Sequence, residues 1–344
     1  MALESIYIND LRSMDSMPEP SLGLESPFFW DSRGWWNRWP EWQKENRSPH
    51  YLQQALDLYA QRPPELKQEK DTALFTGSAR GAESYWFEAQ HGPKFSPYTT
   101  PGFLASQLSR RFFQGPALHS SQTCSSGLQA VLNGLAWLQA GFCSQAWVVA
   151  SEYPIHPKTQ ALLKATGILC TDPNLGPWPL SNKGTVLASQ AIGCILSKEP
   201  SSTAIRCISF GVGKEEGPSP TGISQEGKAL RKAMEQCMAN AGTAPDLVVG
   251  HFPGTPKGND AEWAACQAIW GNSSPQITGT KWFTGHGLGA SGMQSLAWVW
   301  EALVQGKAWP KGPDSSLATR QIHRAMINAQ GFGGQAISIM VERI

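Results

Sequence analysis

The sequence predicts an α/β protein in which two related halves stack helices and sheets in layers. Two observations lead to this fold class: a helical pattern that occurs twice, and apolar runs that follow each copy in the same order. The helical pattern is SGLQAVLNGLAWLQAG at residues 126–141 and SGMQSLAWVWEALVQG at residues 291–306. Five columns of these two segments are identical: Ser, Gly, Gln, Leu and the final Gly.

Both copies have the spacing of an amphipathic helix. Apolar residues recur at i, i+3, i+4 and i+7, and a glycine suited to a helix C-cap ends each copy. The β-prone runs QAIGCILSK (190–198) and QAISIMVER (335–343) resemble each other and follow the helices in the same order. Two ordered matches predict a duplicated chain, with the joint near the polar stretch EPSSTA (199–204).

The elements between the repeats alternate between strand and helix. AWVVA (146–150) is typical of a buried strand, residues 225–242 of an amphipathic helix, and LVVG (247–250) of a short strand. This alternation favours layered helices and sheets. We therefore predict a first half over residues 71–200 and a second half over residues 201–344.

The first 70 residues form a divergent, tryptophan-rich segment that we set apart as residues 1–70. Its aromatic rings stand among charges and prolines, at Trp30, Trp35, Trp36, Trp39 and Trp42. We interpret them as packing on the body of the protein or at a subunit interface.

Composition narrows the class of protein. Hydrophobic residues make up 41% and charged residues 16% of the 344 residues, which indicates a globular chain. A formal net charge of +1 gives no support for broad nucleic-acid or membrane-surface binding. We also predict no membrane span and no secretory signal, since there is no apolar run of about 20 residues and no basic start before an apolar block.

Cysteine usage indicates a reducing compartment, and we predict a cytoplasmic protein. The cysteines are odd in number and widely spaced: Cys124, Cys143, Cys170, Cys194, Cys207, Cys237 and Cys266. Neither they nor the histidines have the close spacing of metal ligands, so the sequence does not predict a structural zinc site.

Cys124 stands out because it directly precedes the first repeat helix. At a helix start, unpaired N–H groups and the positive end of the helix dipole favour a thiolate. The same N–H groups could hold an oxyanion after attack on a thioester or ester. We therefore predict that Cys124 is a nucleophile.

Two histidines are candidates for the same site. His251 follows the LVVG strand, and sites in α/β proteins gather beyond the carboxyl ends of strands. His286 lies just ahead of the second repeat helix, near the position that corresponds to Cys124. If a pseudo-twofold axis relates the halves, the two helix starts face each other, and Cys124 and His286 meet.

Gly287, Gly289 and Gly292 spell a GxGxxG pattern that resembles a dinucleotide fingerprint. That fingerprint needs a following strand with an acidic residue about 20 positions on, whereas the next acid here, Glu301, falls inside the predicted helix. The pattern therefore does not predict nucleotide binding.

Four segments together resemble the β-ketoacyl-acyl carrier protein synthases of the thiolase-like superfamily. TCSSGLQA (123–130) is similar to the nucleophile motif, and HFPGTPKGNDAEW (251–263) and TKWFTGHGLGASG (280–292) to the two histidine motifs. NAQGFGGQA (328–336) is similar to the C-terminal glycine loop. The resemblance covers residues 70–344 and implies the layered α-β-α-β-α fold of that superfamily.

The resemblance also implies a reaction. Cys124 takes an acyl chain from a carrier protein, and the N–H groups of Cys124 and Phe332 form an oxyanion hole, with Phe332 as a gate. His251 and His286 stabilise the enolate formed when malonyl-carrier protein loses carbon dioxide, and Lys281 tunes the charge around His286. No metal or organic cofactor is implied. The implied partners are an acidic acyl carrier protein and a second subunit, either a copy of this chain or a related ketosynthase.

Two departures from the family pattern keep an alternative open. Phe252 replaces a glycine of the first histidine motif, and Ser189 stands at the position of a family glutamate that pairs with the lysine. The alternative is a chain-length-factor-type subunit that shapes the acyl tunnel of a partner, and a hydrolase or acyltransferase is a third candidate. Arg110 and Arg111 are candidates for carrier-protein docking, although paired arginines on a solvated face are the more common case.

Overall fold

The computed structural model of the chain describes residues 5–13, 55, 71–81, 102–113, 115–152, 157–170, 183–217, 222–273, 275–305 and 322–344. The tryptophans from Trp30 to Trp42 lie outside these residues, so their packing stays a prediction. Among the described residues, no helix is both long and apolar enough to cross a membrane.

The described elements are helices and strands that mostly alternate along the chain. Up to residue 197 they are β1 (Ile6–Ser13), β2 (Thr72–Gly77), α1 (Phe103–Phe112), β3 (Ala117–Ser120), α2 (Ser126–Ala140), β4 (Gln145–Glu152), α3 (Pro157–Ala165) and β5 (Gln190–Ser197). They continue as β6 (Ile205–Lys214), α4 (Lys228–Ala241), β7 (Leu247–Val249), α5 (Pro256–Trp270), β8 (Gln276–Thr278), the one-turn α6 (Lys281–Thr284), α7 (Ser291–Gln305), β9 (Arg324–Gln330) and β10 (Gln335–Arg343). Short 3₁₀ turns, Thr123–Ser125 and Leu288–Ala290, lead into α2 and α7.

The strand order shows the duplication directly. The strands form one sheet in the order β3-β2-β4-β5-β1-β6-β10-β9-β7-β8. Read outward from the centre, each half places its first strand innermost, followed by its fifth, fourth, second and third. β1 and β6 pair antiparallel at the middle, where Tyr7 lies opposite Arg206. This mirrored order confirms the prediction of two related halves.

β1 comes from the segment that the sequence analysis set apart as residues 1–70, yet it lies at the centre of the sheet between β5 and β6. Residues 198–204 connect the two halves, between the end of β5 and the start of β6. The boundaries at 71–200 and 201–344 stay a prediction.

Three apolar clusters define the layers. The central cluster joins α2 and α7 to strands of both halves, through residues such as Leu128, Val131, Ile192, Leu296 and Ile327. A second cluster packs α1 on the outer face of the first half, and a third packs α4 and α5 on the outer face of the second half. The two halves of the sheet therefore form the two β layers, with α2 and α7 between them, and the layers run α-β-α-β-α, as the family resemblance implies.

The glycines of the GxGxxG pattern serve close packing around the paired helices. A Cβ on Gly289 would lie 2.6 Å from the Ala79 backbone nitrogen, and one on Gly292 would lie 2.6 Å from Cγ of Leu128. From the other half, a Cβ on Gly127 would lie 2.7 Å from the Gly289 carbonyl oxygen. Small residues at these positions let the starts of α2 and α7 approach each other.

Candidate active site

The nucleophile turn Thr123–Ser125 carries Cys124 between β3 and α2. Thr123 has a φ of 49°, and Leu288, at the matching position of the second turn, has a φ of 40°. A positive φ is strained for residues other than glycine. The two halves therefore share the same strained, sharp turn. The Ser126 hydroxyl closes the first turn by donating to the Thr123 carbonyl at 2.6 Å and accepting from the Gln122 N–H at 2.8 Å.

Burial decides the charge of Cys124. The side chain is 9% exposed, and burial raises the pKa of the Cys124 thiol to about 12. The nearby Lys281 charge and the backbone N–H of Cys124 lower that pKa, but by less than burial raises it. The backbone at the helix start therefore favours the thiolate, as the sequence predicts, but desolvation has the larger effect and favours the protonated thiol.

The structure brings Cys124, His251 and His286 together. Their sulfur and ring nitrogen atoms lie within 4.8 Å of one another, and all three side chains are buried. The two imidazole rings meet edge to face, with centroids 5.4 Å apart and an interplanar angle of 79°. The site thus joins one residue of the first half to two residues of the second.

Glu262 holds the backbone on which His251 sits. Its carboxylate, on the buried face of α5, accepts from the His251 N–H at 2.8 Å, the Phe252 N–H at 2.6 Å and the Asn328 side-chain amide at 3.1 Å. Phe252, the replacement for the family glycine, has a φ of 26° and is buried. Sequence reasoning missed Glu262, although an acidic residue among the apolar positions of a helix is a signal that could have found it.

His286 is fixed from two sides. Its backbone pairs with the segment TVLASQ (185–190), because the His286 N–H donates to the Val186 carbonyl at 2.6 Å and the His286 carbonyl accepts from the Ala188 N–H at 3.2 Å. Its ring Nδ1 lies 2.8 Å from the Ser291 hydroxyl at the start of α7. Burial lowers the pKa of both His286 and His251 well below the usual value, and Lys281 lowers both further.

Lys281 is a buried cation beside Cys124, His251 and His286. Its ammonium group donates to the His251 carbonyl, and burial lowers the pKa of Lys281 to about 8. The charge of Glu262 raises that pKa in opposition. Glu262 is therefore an acidic neighbour whose charge acts on Lys281. That Ser189 deprives Lys281 of the ion pair found in the family stays a prediction. The Ser189 hydroxyl donates instead to the Glu152 carbonyl at 3.3 Å.

Glu152, at the end of β4, is a second buried carboxylate that sequence reasoning missed. Its Oε1 accepts from the Ser78 hydroxyl at 3.0 Å and from the Ala79 and Arg80 N–H groups. Its Oε2 is buried and has no hydrogen-bond partner among the described residues. Burial raises the pKa of Glu152 to about 7, and its charge raises the pKa of Cys124. The signal in the sequence that could have found Glu152 is an acidic residue at the end of an apolar strand.

Phe332 lies on the β9–β10 hairpin beside the nucleophile turn. Its carbonyl accepts from the Thr123 hydroxyl at 3.1 Å, and a Cβ on Gly331 would lie 2.3 Å from that hydroxyl oxygen. The Phe332 side chain is 43% exposed. Arg110 and Arg111 are exposed in the last turn of α1, on the outer helical layer. Their docking role stays a prediction.

Comparison with known protein families identifies the chain. The family model "Beta-ketoacyl synthase, N-terminal domain" matches residues 51–201, and "Beta-ketoacyl synthase, C-terminal domain" matches residues 207–312. The chain belongs to the β-ketoacyl synthase family. It is therefore a condensing enzyme of the acyltransferase class, as the sequence motifs predict.

Relatives and solved structures agree with this family. The 3-oxoacyl-[acyl-carrier-protein] synthase 1 of Escherichia coli (strain K12) is 23% identical over 340 residues, covering 85% of this chain and 80% of its own. A ketosynthase (ApeO) in complex with its chain length factor (ApeC) from Xenorhabdus doucetiae matches with a TM-score of 0.74 and 18% identity, over 99% of this chain and 98% of that one.

A type II PKS acyl-carrier protein in complex with its ketosynthase bound to the hexaketide also matches. Its TM-score is 0.77 at 16% identity, over 99% of this chain and 100% of the matched chain. These two structural matches confirm the thiolase-like ketosynthase fold of this β-ketoacyl synthase.

Proposed function

We propose that this β-ketoacyl synthase catalyses the decarboxylative condensation of a Cys124-bound acyl chain with malonyl-acyl carrier protein, in fatty acid or type II polyketide elongation. The observation that carries the proposal is the meeting of one thiol and two imidazoles, within 4.8 Å, in a buried site built from both halves of the chain. A nucleophile and two neutral hydrogen-bonding rings are the groups that this chemistry needs.

The first step transfers the acyl chain. The Cys124 thiol attacks the acyl thioester of the carrier protein, the new carbon–sulfur bond forms, and the carrier leaves as a free thiol. Because burial holds the pKa of Cys124 near 12, the thiol must lose its proton as it attacks, and a neutral imidazole within 4.8 Å can accept it. The N–H groups of Cys124 and Phe332 would hold the oxyanion.

The second step forms the new carbon–carbon bond. Malonyl-carrier protein loses carbon dioxide, and the electron pair of the broken bond becomes an enolate whose oxygen accepts from His251 and His286. A Ser291 hydroxyl that donates to Nδ1 of His286 leaves the ring proton on Nε2, where it can be donated to that oxygen. The enolate carbon then attacks the acyl-Cys124 thioester, the carbon–sulfur bond breaks, and the sulfur leaves as a thiolate that takes a proton from solvent.

Lys281 acts on the charge of the site. Its ammonium group lowers the pKa of Cys124 and of both histidines, so it favours a thiolate during attack and keeps the rings neutral. A neutral ring has one N–H that can donate to the enolate oxygen and one bare nitrogen that can accept a proton. The reaction as written needs no metal or organic cofactor.

Mass spectrometry of the intact protein tests the proposal. Incubation with a panel of acyl-carrier proteins should add one acyl mass, which peptide mapping should place on Cys124 and which Cys124→Ala should lose. Addition of malonyl-carrier protein should then remove the acyl mass and yield a β-ketoacyl-carrier protein. Acylation followed only by hydrolysis, or by transfer without carbon dioxide release, would support the hydrolase or acyltransferase alternative.

A chain-length-factor-type role is the second candidate. The structural likeness to a ketosynthase in complex with its chain length factor motivates it. In that case the chain would stay unmodified by acyl-carrier protein and would be stable only when co-expressed with a related ketosynthase. The intact Cys124, His251 and His286 favour the condensing role.

We also propose an acyl carrier protein and a second synthase subunit, identical or related, as partners, and the cytoplasm as the place of action. All seven cysteines are free thiols, as a reducing compartment requires. Analytical ultracentrifugation of the purified chain should show a dimer when it pairs with itself and a monomer when it awaits a related subunit.

A further inference from the structure

The same three side chains that surround the thiol also form a set of metal-binding donors. Cys124 offers a sulfur, and His251 and His286 each offer a ring nitrogen, with all three atoms within 4.8 Å of one another. They come from three different parts of the chain: the turn before α2, the residues after β7 and the residues before α7. For this reason the spacing along the sequence does not show the set.

The geometry lies close to that of a tetrahedral zinc site. In a tetrahedral zinc site, the Zn–S and Zn–N bond lengths place neighbouring ligand atoms roughly 3.3–3.6 Å apart. Small side-chain rotations that move the donor atoms by about 1 Å would bring them to these separations. Sulfur and imidazole together favour zinc over magnesium or calcium, which prefer oxygen ligands.

Two contacts around the histidines support a ligand role. Nδ1 of His286 lies 2.8 Å from the Ser291 hydroxyl. In the tautomer that binds a metal, Nδ1 carries the proton and donates it to Ser291, which leaves Nε2 free to bind zinc. His251 is 5% exposed, and its buried Nδ1 has no hydrogen-bond partner among the described residues. The His251 ring therefore has no hydrogen bond at Nδ1, among the described residues, that would have to break for the ring to bind a metal ion.

We propose that Cys124, His251 and His286 form a three-ligand binding site for Zn²⁺, with a fourth position open to water, and that zinc there blocks the thiol reversibly. On binding, the sulfur–hydrogen bond breaks, a zinc–sulfur bond forms and the proton goes to solvent, with no change of oxidation state. The proposal does not depend on the condensation reaction, because a hydrolase or a chain-length-type subunit with these side chains would bind the metal equally.

Lys281 limits the affinity of this site. Its buried ammonium group donates to the His251 carbonyl, so a positive charge lies next to the place where the dication would bind. Coulomb repulsion at this range weakens zinc binding, and Lys281→Met should tighten it by about tenfold or more. A site whose affinity is held down in this way releases zinc to a chelator.

The experiment titrates the full-length, metal-free protein with Zn²⁺ in the presence of a competing indicator dye. Wild type should bind one equivalent that Cys124→Ser loses. The matched control Cys143→Ser, at the opposite end of α2, should keep it. Co²⁺ in place of Zn²⁺ should give a thiolate-to-cobalt charge-transfer band in wild type and in Cys143→Ser, and none in Cys124→Ser.

Protection of the thiol gives an independent readout. With zinc at about ten times its dissociation constant, alkylation of Cys124 by iodoacetamide, followed by peptide mass spectrometry, should slow by about tenfold and recover with EDTA. Equal zinc binding by Cys124→Ser and wild type, or an unchanged alkylation rate, would overturn the proposal. If Cys124→Ser does not fold, wild type first alkylated at Cys124 replaces it and should lack the equivalent.

Discussion

At the scale of single residues, burial controls the chemistry of the site more than position on a helix does. Cys124 stands at a helix start, which favours a thiolate, yet burial raises its pKa to about 12. The histidines are neutral for the same reason, since burial lowers the pKa of each. Burial therefore favours the uncharged form of the thiol and of both rings.

Replacing Lys281 should change how Cys124 responds to pH. Lys281 is charged below its pKa of about 8 and lowers the pKa of Cys124 while charged, so Lys281→Met should slow alkylation of Cys124 by about tenfold below pH 8. Above pH 8 wild type loses that charge, and the two rates should converge. The rate of Cys124 alkylation by iodoacetamide, measured from samples quenched at set times between pH 6 and pH 10, tests this prediction. The control Lys257→Met, on the exposed side of α5, should follow wild type.

Replacing Glu152 should change how stability depends on pH. Its pKa is about 7 in the folded chain against 4.5 when unperturbed, so the stability it contributes is complete below pH 4.5 and is lost as pH rises through 7. Between pH 5 and pH 8, the unfolding free energy of wild type should fall by about 2–3 kcal/mol relative to that of Glu152→Gln.

Urea denaturation at both pH values tests the Glu152 prediction. The exposed control Glu235→Gln, which replaces the acid of the Arg231–Glu235 pair on α4, should have the same pH dependence as wild type. An identical slope for wild type and Glu152→Gln would show that the carboxyl is already ionised in the folded protein at pH 5.

At the scale of elements, two short turns and the helices after them build the site. Thr123 and Leu288 repeat the same strained backbone, and α2 and α7 begin one residue after each turn. Glycines at the helix starts allow this approach, since Gly127 and Gly289 lie where any side chain would meet backbone atoms. The nucleophile and the second histidine meet because these two helix starts are packed against each other.

A methyl group at Gly289 should therefore separate the two helix starts. Its Cβ would lie 2.6 Å from the Ala79 nitrogen and 2.9 Å from Oε1 of Glu152, so Gly289→Ala should cost about 1–3 kcal/mol of unfolding free energy. Thermal and urea denaturation measure this. Gly102→Ala, where nothing lies within 4 Å, is the control and should be close to wild type. Equal stability of both variants would contradict the close approach.

At the scale of the whole molecule, β1 joins the two halves. It pairs with β5 on one side and with β6 on the other, so the continuous sheet depends on it. Ile6 and Ile8 of this strand are fully buried in the central cluster, between the layers of both halves. A strand in that place supports the packing of each half against the other.

Shortening a buried side chain of β1 should therefore destabilise the whole chain. Ile8→Ala should reduce the unfolding free energy by about 2–5 kcal/mol, because it leaves a cavity in the central cluster. Tyr7→Ala, a change to the partly exposed neighbour, should cost less. Urea denaturation followed by circular dichroism makes the comparison. A larger loss for Tyr7→Ala would show that the outward face of β1 matters more than its core face.

The amino-acid sequence by itself determined the duplication, the layered α/β class and the family. These features are local or are repeated along the chain: the helical patterns at 126–141 and 291–306, the paired apolar runs, and the motifs around Cys124, His251 and His286. Patterns of this kind can be detected because residues close together in sequence set the periodicity of a helix or strand.

Only the tertiary structure decided the place of β1, the roles of Glu152 and Glu262, and the protonation of Cys124. Each of these depends on contacts between residues far apart in the chain, as when Glu262 holds His251 or Glu152 holds the loop after β2. The size of a pKa shift caused by burial depends on all the atoms that exclude water from the group, and these come from many parts of the chain. A local sequence pattern does not show these atoms, so the protonation of the site can be judged only when the two halves are packed together.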